Sequence, residues 1–207
     1  MSKKKEKLQK YNIMTLGNTA VGKTTFIIRF TENTFKSTYL TTLGVDYKSK
    51  IITLDNNKRY IIHFFDTAGQ EKYKSLAINV IKNAHGIILM YDITDKKSFE
   101  AISTWMKNII DLKGKDFPII LIGNKIDLVD IREVSTEDGE ISAKKYGIQF
   151  FEISNKIVTN VEDACLELIN LVVDTNNNNI KDDKSKKSAI KLNKKNNKNK
   201  GNKKCNC

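Results

Sequence analysis

Lys23 and Thr24, at the end of Gly17-Asn18-Thr19-Ala20-Val21-Gly22-Lys23-Thr24, have the types and spacing to hold phosphate. With Thr25 behind it, the run fits G-x-x-x-x-G-K-[ST] at every fixed position. Its glycines let the backbone turn tightly, so that successive N–H groups face phosphate oxygens. A helix start behind them adds free donors and a positive dipole end. Lys23 supplies a mobile cation for the outer phosphates, and the Thr24 hydroxyl is a ligand for Mg²⁺. The flanks suit the motif: Ile13, Met14 and Leu16 read as a strand before it, and Phe26, Ile27, Ile28 and Phe30 as a helix after it. A merely glycine-rich turn would need neither flank, so a bound nucleoside phosphate is the expectation.

Other positions bear on which nucleotide and what chemistry. Asn124-Lys125-Ile126-Asp127 closes an apolar strand. Asp127 there can accept two hydrogen bonds from guanine, at N1–H and the exocyclic amine, and adenine offers no such pair. A site built on that pairing rejects adenine because a buried carboxylate would be left unpaired. Ser154-Asn155-Lys156, after the last strand, could close over the base with a backbone N–H. In Asp66-Thr67-Ala68-Gly69-Gln70, Asp66 can hold Mg²⁺ through water, since that ion keeps several waters. Gly69 has no side chain to block its N–H from a γ-phosphate, and Gln70 can orient an attacking water. Thr42 offers the metal a second hydroxyl. These contacts come from two segments that can order with a triphosphate and loosen without it. The plainer alternative for Asp66 is an N-cap or turn residue.

To position these groups the chain must alternate strands and helices. After the first helix, residues 31–42 are polar and without period, a loop of the length usually kept for function. Val45–Leu54 and Arg59–Phe65 read as a hairpin about Asp55-Asn56-Asn57-Lys58. A helix-like segment to Asn83 follows, then a buried strand from Gly86 to Tyr91. Phe99, Ile102, Met106 and Ile109 mark one helix capped by Ser98 or Asp95. Pro118 opens the strand Ile119–Ile122; a helix over about 136–147, a strand Gln149–Ile153 and a helix over about 161–173 complete the domain. Continuous apolar strands of this kind predict an α/β fold of the P-loop NTPase type: a mostly parallel, six-stranded sheet with helices on both faces and one antiparallel edge pair. Ligands of such sheets gather at the carboxyl ends of the strands, where every motif above falls.

The 207 residues suit one domain, over 11–174, between a basic extension at 1–10 and a tail at 175–207. No apolar run approaches the ~20 residues of a membrane span, and the first ten residues lack the apolar centre of a signal peptide. The protein is expected to be made and kept on the cytosolic side. The net charge of +12 lies in the ends: residues 11–179 carry 20 basic against 21 acidic side chains, residues 1–10 five lysines against one glutamate, and residues 180–207 eleven lysines against two aspartates. A near-neutral domain argues against a nucleic-acid-binding face. Three cysteines make no disulfide framework. Cys165, among Val161, Ala164, Leu168, Leu171 and Val172 at helical spacing, reads as a core filler. His63 and His85 complete no catalytic relay, and Trp105 reads as packed or half-exposed on its helix.

With these motifs the sequence resembles the Ras superfamily of small GTPases, and within it the Rab branch, from about Tyr11 to Val173. Thr42-Leu43-Gly44-Val45-Asp46-Tyr47 is similar to the Rab first switch, Asp66 to Tyr73 to the second, and Leu89-Met90-Tyr91-Asp92-Ile93-Thr94 to a further Rab-typical segment. The resemblance implies a membrane-anchored switch that binds GTP and GDP with Mg²⁺, hydrolyses GTP slowly and recruits effectors in vesicle traffic. It implies that Phe35 stacks against guanine, that Tyr39 joins the nucleotide site, and that Tyr39, Leu40, Thr41, Thr42, Leu43, Gly44, Val45, Asp46 and Tyr47 contact effectors. An exchange factor, a GTPase-activating protein and a dissociation inhibitor or escort are implied partners, and intrinsic turnover would be slow because no arginine is placed to act as a finger in cis. Cys205-Asn206-Cys207 resembles the C-x-C signal on which both cysteines receive geranylgeranyl groups. Two chains give stable anchoring, and lysines of the segment Asn176–Lys204, which reads as disordered, add ~1 kcal/mol each near an anionic leaflet. The implied location is the cytosolic face of intracellular membranes or the plasma membrane, with a soluble pool.

The chain departs from that pattern in places. Thr19 and Ala20 stand where many members have Ser or Gly, Phe65 replaces a Trp, and Asn155 replaces an Ala while keeping its backbone donor. Val80-Ile81-Lys82-Asn83-Ala84 replaces an aromatic pair followed by Arg-Gly, which reduces the expected effector patch to Tyr47, Phe65 and Ile81. Two other readings compete. A phosphotransferase using ATP would want an arginine-rich lid, and the chain has only Arg29, Arg59 and Arg132. A soluble nuclear-transport GTPase would suit the lysines but leaves the terminal cysteines unexplained.

Overall fold

The computed structural model describes residues 8–35, 45–54, 57–67, 78 and 81–179. Residues fall into two compact units, Met1–Val172 and Val173–Cys207. The described residues of the second, 173–179, are helical. In the first unit the elements are β1 (Gln9–Leu16), α1 (Lys23–Glu32), β2 (Val45–Thr53), β3 (Arg59–Thr67), β4 (Gly86–Asp92), α2 (Lys96–Glu100), α3 (Ile102–Lys113), β5 (Ile119–Asn124), α4 (Thr136–Tyr146), β6 (Gln149–Ile153), and a helix, α5, that begins at residue 161.

The strands form one sheet in the order β2-β3-β1-β4-β5-β6. β2 runs antiparallel to β3, and every other pairing is parallel. The central strands β4 and β5 are buried at every residue, which their unbroken apolar runs require once helices cover both faces. On one face Met14, Leu16, Ile87, Leu89, Tyr91 and Leu121 pack with Ile102, Met106 and Ile109 of α3 and Ala143 of α4. Alternate residues of the same strands, among them Ile13, Ile88, Met90 and Ile120, are buried on the other face, as a period of two dictates. There α1 sets Phe30 edge-on to Phe64 of β3, and a Cβ on Gly86 would meet the Val172 side chain at 2.5 Å. Cys165 is fully buried in α5, a free thiol whose pKa burial drives upward.

Three local expectations are revised. Helix α1 runs through Thr31 and Glu32, so the loop starts later; Asn33 ends the helix in the left-handed region at φ 53, its N–H bonded to the Arg29 carbonyl. The single helix expected over Phe99–Ile109 is two, because α2 stops at Glu100 and α3 starts after Ala101. Asp95 alone caps α2, accepting from the Lys97 and Ser98 amides. The Ser98 hydroxyl is instead fully buried at the end of β4, accepting from Asp92 N at 3.0 Å and donating to the Asp95 carbonyl at 2.7 Å. Lastly, Ile81 is 1 % exposed and lies in the hydrophobic core, so it cannot extend an exposed patch. A helical aliphatic side chain facing the sheet gains more from burial than an isolated surface position would give it.

Candidate functional site

The turn between β1 and α1 is shaped by close approach. Gly17 holds φ 137, and a Cβ there would stand 2.1 Å from the Met90 carbonyl oxygen of β4. Gly22 holds φ 101, and a Cβ there would stand 2.2 Å from Asn124 Nδ2. Between them Ala20 also takes a left-handed φ of 63. Gly22 N-caps α1, and as a glycine it has no side chain to cap the first amides of the helix itself. The positive end of a helix dipole suits an anion.

Lys23 is buried, and its ammonium donates to the Gly17 carbonyl at 2.9 Å and the Asn18 carbonyl at 2.7 Å. Burial lowers its pKa to about 8, against an opposing pull from the Asp66 carboxylate. One residue on, Thr24 Oγ1 donates to Asp66 Oδ2 at 2.5 Å. Asp66, 4 % exposed, stands near the carboxyl end of β3 opposite Asp46 of β2. A hydroxyl and a carboxylate oxygen side by side are hard donors of the kind Mg²⁺ takes. That ion uses one or two protein oxygens beside substrate phosphates, so the absence of any three-residue His/Cys/Asp/Glu cluster among the described residues is no obstacle.

The other end of the site is strapped together by side chains. Asn124, the last residue of β5, donates from Nδ2 to the Val21 carbonyl at 2.8 Å. Lys125 takes φ 72 and sets its ammonium 2.5 Å from Asp92 Oδ2 at the end of β4. Asp127 Oδ1 accepts from the Ser154 hydroxyl at 2.6 Å, and Lys156 Nζ stands 3.9 Å from Oδ2. The same Ser154 oxygen accepts from the amides of Lys156 and Ile157. Asn155 is 4 % exposed and donates from Nδ2 to the Gly22 carbonyl at 3.2 Å. Phe35 is partly exposed, with the Arg29 guanidinium 5.6 Å from its ring centroid.

The structure thus gathers Gly17, Asn18, Val21, Gly22, Lys23, Thr24, Asp66, Asn124, Asn155 and the Asp127–Ser154 pair at the carboxyl ends of β1, β3, β5 and β6. Thr19 and Ala20 are exposed on the turn and Thr25 is half-buried in α1. Tyr39, Leu40, Thr41, Thr42, Leu43, Gly44, Gly69, Gln70, Cys205 and Cys207 lie outside the described residues. Val45 begins β2. Asp46 is exposed, and its carboxylate accepts from the Tyr47 amide. Tyr47, largely exposed, stacks on Phe65 across the hairpin with centroids 6.0 Å apart, and His63 meets it edge-on.

Three residues of the site were not read from sequence. Asp92 ends β4 among the other motif-bearing strand ends, and that placement was a usable signal. Trp105 reaches from α3 to set its Nε1 3.4 Å from Asn18 Oδ1, and Arg29 donates to the Asn155 carbonyl. Neither contact leaves a trace in local spacing. His85 is structural: its Nδ1 accepts from Asn12 N at 3.0 Å, and burial lowers its pKa.

The Ras family model matches residues 12–174. The Ras-related protein Rab-8B of Pongo abelii is 39 % identical over 175 residues, covering 84 % of each chain. Rab-8A of Rattus norvegicus is 42 % identical over 158 residues, 76 % of each chain. Rab-8B of Homo sapiens is 38 % identical over 175 residues, again 84 % of each.

Proposed function

This chain belongs to the Ras family as a Rab-like small GTPase of vesicle traffic, and from that premise we propose that it works as a membrane-anchored switch whose states differ by the last phosphate of one guanine nucleotide. The reaction is GTP plus water to GDP plus phosphate. The observation that carries the reading is the convergence of Lys23, Thr24 and Asp66 beside a glycine turn that opens a helix.

In this reading the amides of residues 18–25 and the Lys23 ammonium hold the phosphates. Lys23 exchanges its two carbonyl partners for phosphate oxygens. Thr24, Asp66 and Thr42 hold Mg²⁺, which when bound offsets phosphate charge. Gly69 gives its amide to the γ-phosphate and Gln70 orients the attacking water. Asp127 receives the guanine N1–H and amine, while Ser154 keeps that carboxylate in place. Asn124, Lys125, Asn155 and Lys156 shape the base pocket, and Phe35 and Tyr39 cover it. Loss of the γ-phosphate frees the segments around Thr42 and Gln70, and effectors binding Tyr39 to Tyr47 respond. Exchange factor, GTPase-activating protein and escort act from outside. Geranylgeranyl groups on Cys205 and Cys207, aided by the lysine-rich tail, hold the protein to the cytosolic face of a membrane, with a soluble pool.

The test is displacement of bound fluorescent guanosine diphosphate. GTP is expected to displace it and ATP to leave it in place; equal displacement by ATP removes the guanine reading of Asp127 and favours a phosphotransferase. Gln70→Leu is expected to slow single-turnover hydrolysis by at least about tenfold, the scale of losing a positioned water. Unchanged turnover would put water positioning elsewhere.

A further inference from the structure

We propose that Arg29 is a positioning residue that sets how long a guanine nucleotide stays bound, by fastening both the 154–156 loop and Phe35 to α1. The proposal rests on the guanine-site reading of Asp127, Ser154 and Asn155. Arg29 stands in the last turn of α1. Its Nε donates to the Asn155 carbonyl at 2.8 Å, its Nη2 to the Lys156 carbonyl at 3.5 Å and its Nη1 to the Asn33 carbonyl at 3.3 Å. Its guanidinium carbon lies 5.6 Å from the Phe35 ring centroid. One side chain therefore touches both Phe35 and the 154–156 loop, the two segments between which a base would lie.

The donor suits the task. Only a planar fork reaches diverging acceptors at once, and a lysine would offer one point charge. The 154–156 loop is then tied twice to a single piece of chain, at Gly22 by the Asn155 amide and in α1 by Arg29. Phe35, 40 % exposed, is not held by the core. A nucleotide leaving sideways must part Phe35 from the loop, and Arg29 resists that by holding both.

Helix capping is the simpler account of Arg29, since a basic residue in a last turn favours the dipole and Nη1 reaches Asn33. It explains one contact and leaves those to Asn155, Lys156 and Phe35 unexplained. The two accounts also part experimentally: capping alters fold stability, whereas fastening alters release.

The full chain, loaded with fluorescent guanosine diphosphate, is chased with unlabelled nucleotide and release is timed for the parent, Arg29→Gln and Arg29→Lys. Release is expected to quicken about tenfold in Arg29→Gln, or ~1.4 kcal/mol, and about threefold in Arg29→Lys. Association should be unchanged, and hydrogen exchange should quicken at the 154–157 amides while β4 and β5 keep their protection. Release within twofold of the parent in both variants overturns the proposal, as does exchange rising through β4 and β5 along with the loop. Should Arg29→Gln fail to fold, Arg29→Lys decides alone by the same two readouts. A parent that binds adenosine diphosphate as tightly as guanosine diphosphate brings down the guanine reading itself; a guanine-selective parent whose release ignores Arg29 brings down only this proposal.

Discussion

Gly17 and Gly22 leave no room for a Cβ, whereas Asn124 and Asn155 reach the same turn through single hydrogen bonds to the Val21 and Gly22 carbonyls. The phosphate end of the site is thus a turn held by close approach, at Gly17 to the β4 backbone and at Gly22 to the Asn124 side chain. The base end is made of side chains that strap separate loops together. Backbone fixed by close approach is stiff and intolerant of any added atom, because interiors pack like crystals. A strap of one neutral hydrogen bond contributes about 0.5–1.5 kcal/mol and can be undone singly. A switch that must keep its phosphate grip yet release its nucleotide has reason to be stiff at one end and detachable at the other.

The largest expected effect is at Lys23, a buried cation on the stiff side. Lys23→Met is expected to weaken guanosine diphosphate binding roughly a thousandfold, ~4 kcal/mol, by removing a cation from the outer phosphates. The nucleotide-free domain should respond in the opposite sense. Burial puts the folded pKa near 8, while the ordinary value is 10.5. Below pH 8 both states carry the proton and the folded state bears the whole burial penalty. Between pH 8 and 10.5 the unfolded chain binds more protons, so stability rises with pH. Lys23→Met lacks that rise and should be more stable than the parent by about 1–3 kcal/mol at pH 7, with the gap closing towards pH 10.5. Urea unfolding without nucleotide, at pH 7 and pH 10, measures both. A constant gap would mean that the ammonium is not buried as its two carbonyl bonds imply.

Next comes the contrast between the two glycines. In Gly17→Ala the new carbon meets the Met90 carbonyl, part of a central strand, at a strained φ, and the loss should be about 3 kcal/mol or more. In Gly22→Ala, also at a strained φ, it meets the end of the Asn124 side chain, which can swing aside by giving up the Val21 bond, so about 2 kcal/mol is expected. Denaturant midpoints of the two variants compare them directly. Equal losses would erase the distinction between stiff and strapped ends.

The same distinction explains what could be read before the structure. The central strands β4 and β5 were legible because a buried parallel strand must be apolar along its length, as Gly86–Asp92 is. The phosphate turn was legible because its demands are local: glycine where no Cβ fits, and lysine and threonine at the helix start. The straps were not. Arg29 and Trp105 show ordinary helical spacing, and their partners lie 126 and 87 residues away. The division of α2 from α3 at Ala101 leaves no mark in the spacing of Phe99, Ile102, Met106 and Ile109. Ile81 was misplaced for the converse reason: an aliphatic residue in a family's aromatic position still seeks the core.

The smallest expected effect tests the detachable end most finely. Asn155→Ala removes the bond to the Gly22 carbonyl and leaves the backbone carbonyl that Arg29 holds. The lost bond is neutral and 3.2 Å long. Asn155 Oδ1 is buried without a hydrogen-bond partner, so alanine also relieves a desolvation penalty. The two terms oppose, and the net change should stay below about 1 kcal/mol, seen as nucleotide release quickening by less than about fivefold with the unfolding midpoint nearly unmoved. A loss as large as that of Lys23→Met would make Asn155 part of the stiff framework. A slower release would mean that the unpaired oxygen strains the loop in the parent, and that the strap weakens the site it spans.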